Sequence, residues 1–142
     1  MHPDPDRLLR VPLFAGLSVD ERKRLASWLD VEEFDAGKRL AREGASDYEF
    51  FVLDEGTVRV VHEGRTLREL GPGDVFGEVA FFREGRRSAD VVAETNVRVL
   101  SMFGSRFRKM QISMPEVAAR LQDLVRERTR AVEPDRPDAS RG

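Results

Sequence analysis

The residues best suited to chemistry in this 142-residue chain lie between Gly71 and Ala93, in the sequence GPGDVFGEVAFFREGRRSADVVA. A tight turn leads to Gly77 and Glu78, a short apolar run follows, and a charged loop brings the chain to Arg87. We interpret the apolar run as the start of a short helix, whose first backbone N–H groups have no partner within the helix. A helix N-terminus of this kind binds anions, because its amides and its dipole are positive there. The stretch therefore predicts an anion site.

Each residue of this stretch has its own part in the predicted site. Gly77 permits a sharp entry and the close approach of a ligand, and the backbone amides of Val79 and Ala80 are the expected donors. Arg87 adds a full charge in a fork that meets two phosphate oxygens at once. Glu78 has no purpose beside a bare phosphate, but its carboxylate accepts strongly from a sugar hydroxyl. A phosphate and a ribose hydroxyl together indicate a nucleotide.

The segments before this stretch predict a helix followed by short strands. Ser18 and Glu21 form a capping box, which predicts a helix to about Leu29. Strands separated by Gly-containing turns are predicted over residues 31–35, 39–42, 48–53, 57–62, 65–70 and 97–103, with another segment opening at 87–89. Residues 48–53 are apolar on both faces, so we expect them in the middle of a sheet. This spacing favours a small sandwich or barrel with a roll-like topology.

After the last strand the period is helical again. A short helix is predicted over 106–112, and a longer one begins at Pro115, a favourable first-turn position for proline. The longer helix carries one apolar stripe, formed by Val117, Leu121, Leu124 and Val125.

Length and composition fit one globular domain, which we place over residues 8–132. A flexible N-terminus is expected over 1–7, residues 8–17 are expected to pack on the domain as a short helical turn, and a disordered tail is expected over 133–142. The 24 basic and 26 acidic residues nearly balance, which argues against general attraction to nucleic acid or to an anionic membrane. The sequence has no cysteine, no apolar run of about 18 residues and no signal-peptide core, so we expect a cytoplasmic protein without disulfides.

The stretch FGEVAFFREGRRSA resembles the phosphate-binding cassette of the cyclic-nucleotide-binding domain. Regulatory subunits of cAMP-dependent kinase, cyclic-nucleotide-gated channels and the catabolite activator family share this domain. The family motif reads Phe-Gly-Glu, a small apolar turn, a variable loop, then Arg-Ser/Thr/Ala-Ala. Six residues match it position by position: Phe76, Gly77, Glu78, Arg87, Ser88 and Ala89.

The resemblance covers roughly residues 8–130 and implies a mainly β fold with α-helices. That fold is an eight-stranded antiparallel β-roll, of the double-stranded β-helix or jelly-roll type, with an N-terminal helix and two C-terminal helices. It also implies that Glu78 binds the ribose 2′-OH and Arg87 the cyclic phosphate. The rest of the phosphate shell would come from Gly77, Val79, Ala80, Ser88 and Ala89.

By their position in the implied roll, Val60 and Leu67, together with Phe76, are expected to line the base pocket. A residue of the last helix is expected to fold over the base as a lid, and the candidates are Leu124, Val125, Arg128 and Thr129. Phe81 and Phe82 are bulkier than the family's usual leucines, which would tighten the pocket. Ser88 suits either purine, and a hydroxyl here is often linked to cGMP tolerance. We expect cAMP as the ligand, with cGMP as the alternative.

Taken singly, these residues also have ordinary explanations. Arg86 and Arg87 fit a solvated face, Gly77 a simple turn, and Glu78 a favourable charge at a helix N-terminus. The aromatic residues Phe50, Phe51, Phe76, Phe81 and Phe82 suit a core better than ligand stacking.

The resemblance implies a non-catalytic sensor that signals by rearranging its C-terminal helices toward an effector protein of unknown identity. No nucleophile–base pair is apparent, and two histidines are too few for a metal-dependent roll, so we expect neither an enzyme nor a metal or other cofactor. The basic residues of the last helix are interleaved with acidic ones, so neither a nucleic acid nor a membrane is an expected partner. A homodimer through the last helix is possible on this pattern. The alternative is a protein-interaction module that keeps the fold but binds no nucleotide.

Overall fold

Two antiparallel four-stranded sheets form the body of the molecule in the computed structural model, which describes residues 1–41, 49–77 and 89–132. One sheet has the order β1-β8-β3-β6 and the other β2-β7-β4-β5. The strands are β1 Asp30–Phe34, β2 Arg39–Ala41, β3 Glu49–Glu55, β4 Val58–His62, β5 Arg65–Leu70, β6 Val75–Phe76, β7 Asp90–Ala93 and β8 Val97–Phe103. The predicted eight-stranded antiparallel roll is thereby confirmed for the described residues.

Helices cover the outer face of the first sheet. They are two 3-10 helices, η1 (Pro5–Arg10) and η2 (Pro12–Gly16), and three α-helices, α1 (Val19–Ala26), α2 (Gly104–Ser113) and α3 (Pro115–Val132). The described residues contain no helix with the length and apolar character needed to cross a membrane.

The first α-helix begins as predicted and ends earlier. The Glu21 N–H donates to Ser18 Oγ over 3.1 Å, and the Ser18 N–H donates to Glu21 Oε1 over 2.8 Å, so the capping box is confirmed. The predicted end near Leu29 is wrong, because α1 stops at Ala26. There the Ser27 hydroxyl donates back to the Arg24 carbonyl over 2.8 Å, and a short turn leads into β1.

Strand β3 separates two apolar cores. Phe50 and Val52 face the helices, whereas Phe51 and Leu53 face the space between the two sheets. All four are at most 1% exposed, and β3 is paired on both sides, with β8 and with β6. The prediction that this segment lies in the middle of a sheet is therefore confirmed.

The N-terminal residues contact the domain. The Met1 carbonyl accepts from the Val31 N–H over 2.8 Å, and His2 Nδ1 is hydrogen-bonded to the Leu29 carbonyl over 2.7 Å. The Asp4 carboxylate accepts from the Asp6 N–H and caps η1. These contacts restrain Met1, His2 and Asp4. The flexibility expected for residues 1–7 stays a prediction.

Helix α3 packs on the N-terminal helices through its predicted apolar stripe. Val117, Leu121 and Val125 are at most 1% exposed, which confirms the stripe as a core face. Leu124 lies so close to Gly16 that a Cβ added to the glycine would be 3.3 Å from Leu124 Cδ2. The tail over 133–142, predicted to be disordered, lies outside the described residues.

Candidate functional site

The predicted phosphate site falls largely within residues 78–88, which lie outside the described residues. This segment contains the predicted site residues Glu78, Val79, Ala80, Arg87 and Ser88. Their parts in binding stay predictions. The structure does describe the two residues that border the segment, Gly77 and Ala89, and the strands that hold them.

Gly77 leaves the end of β6 with a left-handed backbone. Its φ is +77°, a conformation that costs an ordinary L-residue about 1–2 kcal/mol and costs glycine little. The preceding Phe76 is 4% exposed and stacks on Phe51, with ring centroids 4.8 Å apart. The chain therefore turns at Gly77 from an anchored position, in agreement with the sharp entry predicted there. These contacts support the core interpretation of Phe76, and its contact with a base stays a prediction.

Ala89 marks the other border, on the second sheet. It is 9% exposed and directly precedes β7, whose Val91 pairs with Val60 of β4. Since side chains alternate along a strand, Ala89 lies on the same inner side as the buried Val91. The two borders of the segment thus belong to different sheets, β6 in the first and β7 in the second.

The predicted base-pocket residues on β4 and β5 differ in their surroundings. Val60 is partly buried and packs against the core between the sheets. In the β4–β5 pairing, Val60 is opposite Arg68 and Val61 is opposite Thr66, so Leu67 is the extra residue of a bulge. Leu67 is 60% exposed in this structure, and its contact with a base stays a prediction.

Arg68, which was not among the predicted site residues, shares the inner side with Val60. Counting back from the buried Leu70, strict alternation assigns Arg68 to the inner face, so a signal for it was present in the sequence. The neighbouring Leu67 was instead predicted from its position in the implied roll.

The predicted lid residues lie in the helical layer of the molecule. Val125 is fully buried in the core between the first sheet and the helices, and Leu124 packs against that same core. Arg120 donates to the Gly16 carbonyl and lies 3.9 Å from Glu21 Oε1, which holds α3 against η2 and α1. In this position both side chains belong to the helical core, and their contact with a base stays a prediction. The side chains of Arg128 and Thr129 lie outside the described part of the helix.

The outer face of the second sheet carries a pair of close carboxyls. A hydrogen bond with Glu94, and then the negative charge of Glu94, raise the pKa of the exposed Glu69. Arg59, opposite Glu69 in the strand pairing, lies 3.8 Å from Glu94 and lowers the pKa in part. Over residues 1–41, 49–77 and 89–132, no group of three or more His, Asp or Glu residues is placed to hold a metal ion.

Comparison with known proteins identifies the family. The model of the family described as "Cyclic nucleotide-binding domain" matches residues 31–113, which include the whole predicted cassette. The cyclic AMP receptor protein of Thermus thermophilus is 33% identical over 124 residues, covering 84% of this chain and 57% of that protein. A cGMP-dependent protein kinase of Caenorhabditis elegans is 34% identical over 110 residues, covering 72% of this chain and 14% of the kinase.

A solved structure shows the same fold. The regulatory subunit of a cAMP-independent protein kinase A from Trypanosoma brucei superimposes with a TM-score of 0.79 at 27% identity. The superposition covers 96% of this chain and 48% of that one. The chain belongs to the cyclic-nucleotide-binding domain family, a regulatory and non-catalytic fold. It spans from about one seventh to just over half of the length of the two curated relatives.

Proposed function

We propose that this member of the cyclic-nucleotide-binding domain family is a sensor that binds a purine cyclic nucleotide and does not transform it. The position of the two half-motifs relative to the two sheets supports the proposal. Gly77 of the first half-motif (Phe76-Gly77-Glu78) directly follows β6 of the first sheet, and Ala89 of the second half-motif (Arg87-Ser88-Ala89) directly precedes β7 of the second sheet. A ligand held by both half-motifs would therefore contact segments that come from both sheets.

The proposed binding roles follow from the chemistry of a cyclic nucleotide. Glu78 accepts from the ribose 2′-OH, and Arg87 binds the two exocyclic phosphate oxygens with parallel N–H donors. Since the cyclic phosphate carries a single negative charge, one arginine neutralises it. The remaining donors of the phosphate shell are Val79, Ala80, Ser88 and Ala89.

The proposed output is a movement of α3. In this structure α3 is held by its buried stripe, by the contact of Leu124 with Gly16 and by the hydrogen bond from Arg120 to the Gly16 carbonyl. A ligand moves the helix only by binding the rearranged state more tightly than this one. The free helix end would then be read by an effector protein in the cytoplasm. A homodimer through α3 would use another face, since Val117, Leu121 and Val125 are already buried.

The base is the open part of the proposal. The expected ligand is cAMP, with cGMP as the alternative, and the relatives include both a cyclic AMP receptor and a cGMP-dependent kinase. The protein kinase A to which the Trypanosoma brucei regulatory subunit belongs is described as cAMP-independent, so membership of the family does not by itself fix the ligand. This observation keeps the second candidate function, a protein-interaction module without nucleotide.

A thermal-shift comparison separates the two functions. A ligand at about a hundredfold excess over its dissociation constant adds about 2.7 kcal/mol to the free energy of unfolding. For a domain of this size, that raises Tm by about 5–10 °C. We expect this shift with cAMP or cGMP and none with 5′-AMP, whose phosphate carries a second charge and lacks the ring. No shift with either cyclic nucleotide would favour the interaction module.

A further inference from the structure

A patch of positive charge surrounds Trp28 where α1 meets α2. The guanidinium carbon of Arg106 lies 4.7 Å from the centre of the Trp28 ring, and Arg106 Nε donates to the Trp28 carbonyl over 3.2 Å. The Trp28 N–H donates to the Leu25 carbonyl over 2.8 Å, so the helical turn continues to Trp28 and Arg24, four positions earlier, is its neighbour. Lys109, three positions after Arg106, is the neighbour of Arg106 on α2. We call Arg24, Trp28, Arg106 and Lys109 the basic patch.

Carboxylates neutralise the basic patch only weakly. The sequence of α2 contains three cations and no carboxylate. Of the two carboxylates of α1, Glu21 lies 3.9 Å from Arg120 of α3, outside the patch. Asp20 pairs with Arg24 at 3.6 Å, but the two side chains are 76% and 44% exposed, and such a pair contributes little. The patch is therefore locally positive on a chain whose net charge is −2.

The centre of the patch has the chemistry of a protein interface. Tryptophan and arginine are the residue types most enriched where interfaces bind most strongly. Trp28 packs against the core of the helical layer and Arg106 is bonded to its carbonyl, so both are ordered before a partner arrives, which lowers the entropic cost of binding. A guanidinium binds a carboxylate with two parallel N–H donors, and the Trp28 ring offers apolar surface beside it.

The size and surroundings of the patch favour a protein partner over a nucleic acid or a membrane. A nucleic-acid-binding protein commonly contacts about 6–10 phosphates, whereas this patch has three cations. Asp20 beside Arg24 and Asp30, two positions after Trp28, would repel a dense row of phosphates. Binding to a lipid surface requires apolar side chains that can insert, and the one apolar side chain of the patch is already packed on the core.

We propose that the basic patch is a docking surface for an acidic segment of a partner protein, in which carboxylates flank an apolar side chain. The inference rests on the proposed function only in identifying this partner as the effector of the sensor. The patch is also connected to the proposed output, because the contact between Glu21 and Arg120 joins α1 to α3. A movement of α3 therefore acts on the helix that carries Arg24.

The fluorescence of Trp28 reports on docking directly, because the chain has a single tryptophan. The probe is a terminally blocked peptide with the repeated sequence Glu-Glu-Leu, titrated into the full chain at low salt. We expect a saturable change in Trp28 emission, and no change with a matched peptide that has glutamine in place of glutamate. Arg24→Gln combined with Lys109→Gln should weaken peptide binding about fourfold or more, since each exposed charge pair contributes about two- to fivefold in affinity.

A second double variant is the matched control. Lys38→Gln combined with Arg108→Gln removes the same number of charges outside the patch. Lys38 is exposed just before β2, and Arg108, two positions from Arg106, lies on another side of α2. This control should change peptide affinity by less than about twofold, because screening weakens distant charges. Both double variants keep Trp28 and Arg106, and thermal melts show whether they fold.

The outcomes separate this inference from the proposed function. Equal losses of affinity in the two double variants, or equal binding of the glutamate and glutamine peptides, would overturn the docking surface. Tighter binding to a single-stranded oligonucleotide or to phosphatidylserine vesicles than to the peptide would overturn the choice of an acidic protein partner. Peptide binding without binding of cAMP or cGMP would support the docking surface and remove the sensor function, and nucleotide binding without peptide binding would do the reverse.

Discussion

The contact between Arg7 and Asp54 should make a large contribution to stability for a single ion pair. Arg7 Nε donates to Asp54 Oδ2 over 2.7 Å and joins η1 to β3, which are 47 residues apart in sequence. The Asp54 side chain is 5% exposed and that of Arg7 is 24% exposed, so water screens the pair only in part. Replacing Arg7 with leucine removes the donor but keeps much of the apolar stem over β3. Among the described residues, Arg98 then remains as a cation 3.9 Å from the buried carboxylate.

The expected loss of stability depends on the burial of Asp54 and on the nearby charge of Arg98. A hydrogen bond to a charged group contributes about 1.5–3 kcal/mol, and removing one partner of a fully buried pair costs about 3–5 kcal/mol. Arg98 offsets part of that loss and Arg7 is partly exposed, so we expect Arg7→Leu to lower the free energy of unfolding by about 2 kcal/mol. In a domain of this size, Tm then falls by about 4–8 °C.

Urea unfolding followed by circular dichroism measures this difference against a matched variant. Arg24 pairs with Asp20 at 3.6 Å, but the two side chains are 44% and 76% exposed. Arg24→Leu should therefore cost about 0.5 kcal/mol or less. If the two leucine variants are equally stable, the Arg7–Asp54 contact does not fasten η1 to the roll in solution, and the reasoning is wrong.

Two further predictions concern backbone and charge. Gly56 has a φ of +91°, and an added Cβ would overlap the Asn96 carbonyl oxygen, so Gly56→Ala should cost at least about 2 kcal/mol in urea unfolding. Gly64 has a similar φ of +77°, but an added Cβ would have no atom within 4 Å, so Gly64→Ala should cost only about 1 kcal/mol. Equal losses of stability in the two alanine variants would contradict the overlap at Gly56. Glu94 raises the pKa of Glu69, so the folded state binds a proton at Glu69 more readily than the unfolded state does. This proton binding stabilises the folded state at low pH, and the stabilisation is lost as the pH rises through the raised pKa. Glu69→Gln should therefore melt slightly above the wild type at pH 7 and level with it at about pH 3.5, and a difference independent of pH would refute this cause.

Local signals predicted much of the fold. The Ser18–Glu21 capping box depends on residues three positions apart, and the stripe from Val117 to Val125 depends on a period of about 3.6 residues, so both could be recognised without knowledge of distant partners. The central position of β3 followed from its apolar residues on both faces. In each case the sequence signal lies within one element, although packing against other elements stabilises the result.

Features that depend on distant partners could not be predicted in the same way. The N-terminal residues are rich in proline and aspartate, but Met1 bonds to Val31, thirty positions away. The Arg7–Asp54 pair likewise cannot be predicted before η1 and β3 are known to lie side by side. The bulge at Leu67 depends on how β5 pairs with β4. Packing across the roll determines this kind of pairing. The sequence of a single strand does not reveal it.

The candidate site was predicted by the spacing of its motif. Gly77 shows the left-handed backbone that its predicted turn requires. The inner-facing position of Arg68 was not predicted, because a charged residue at an inner position departs from the usual apolar pattern of a strand.

The most direct test of the central claim is calorimetric titration of the wild type and of Arg87→Ala with cAMP and cGMP. Arg86→Ala is the matched control, because it removes an equal charge from the adjacent position. We predict that the wild type binds at least one of the two nucleotides at one site per chain. Arg87→Ala should weaken that binding about a hundredfold or more, the scale of a lost buried charge pair, and Arg86→Ala should change it by less than about threefold. Equal affinities for the wild type and Arg87→Ala would contradict the proposed cyclic-nucleotide site.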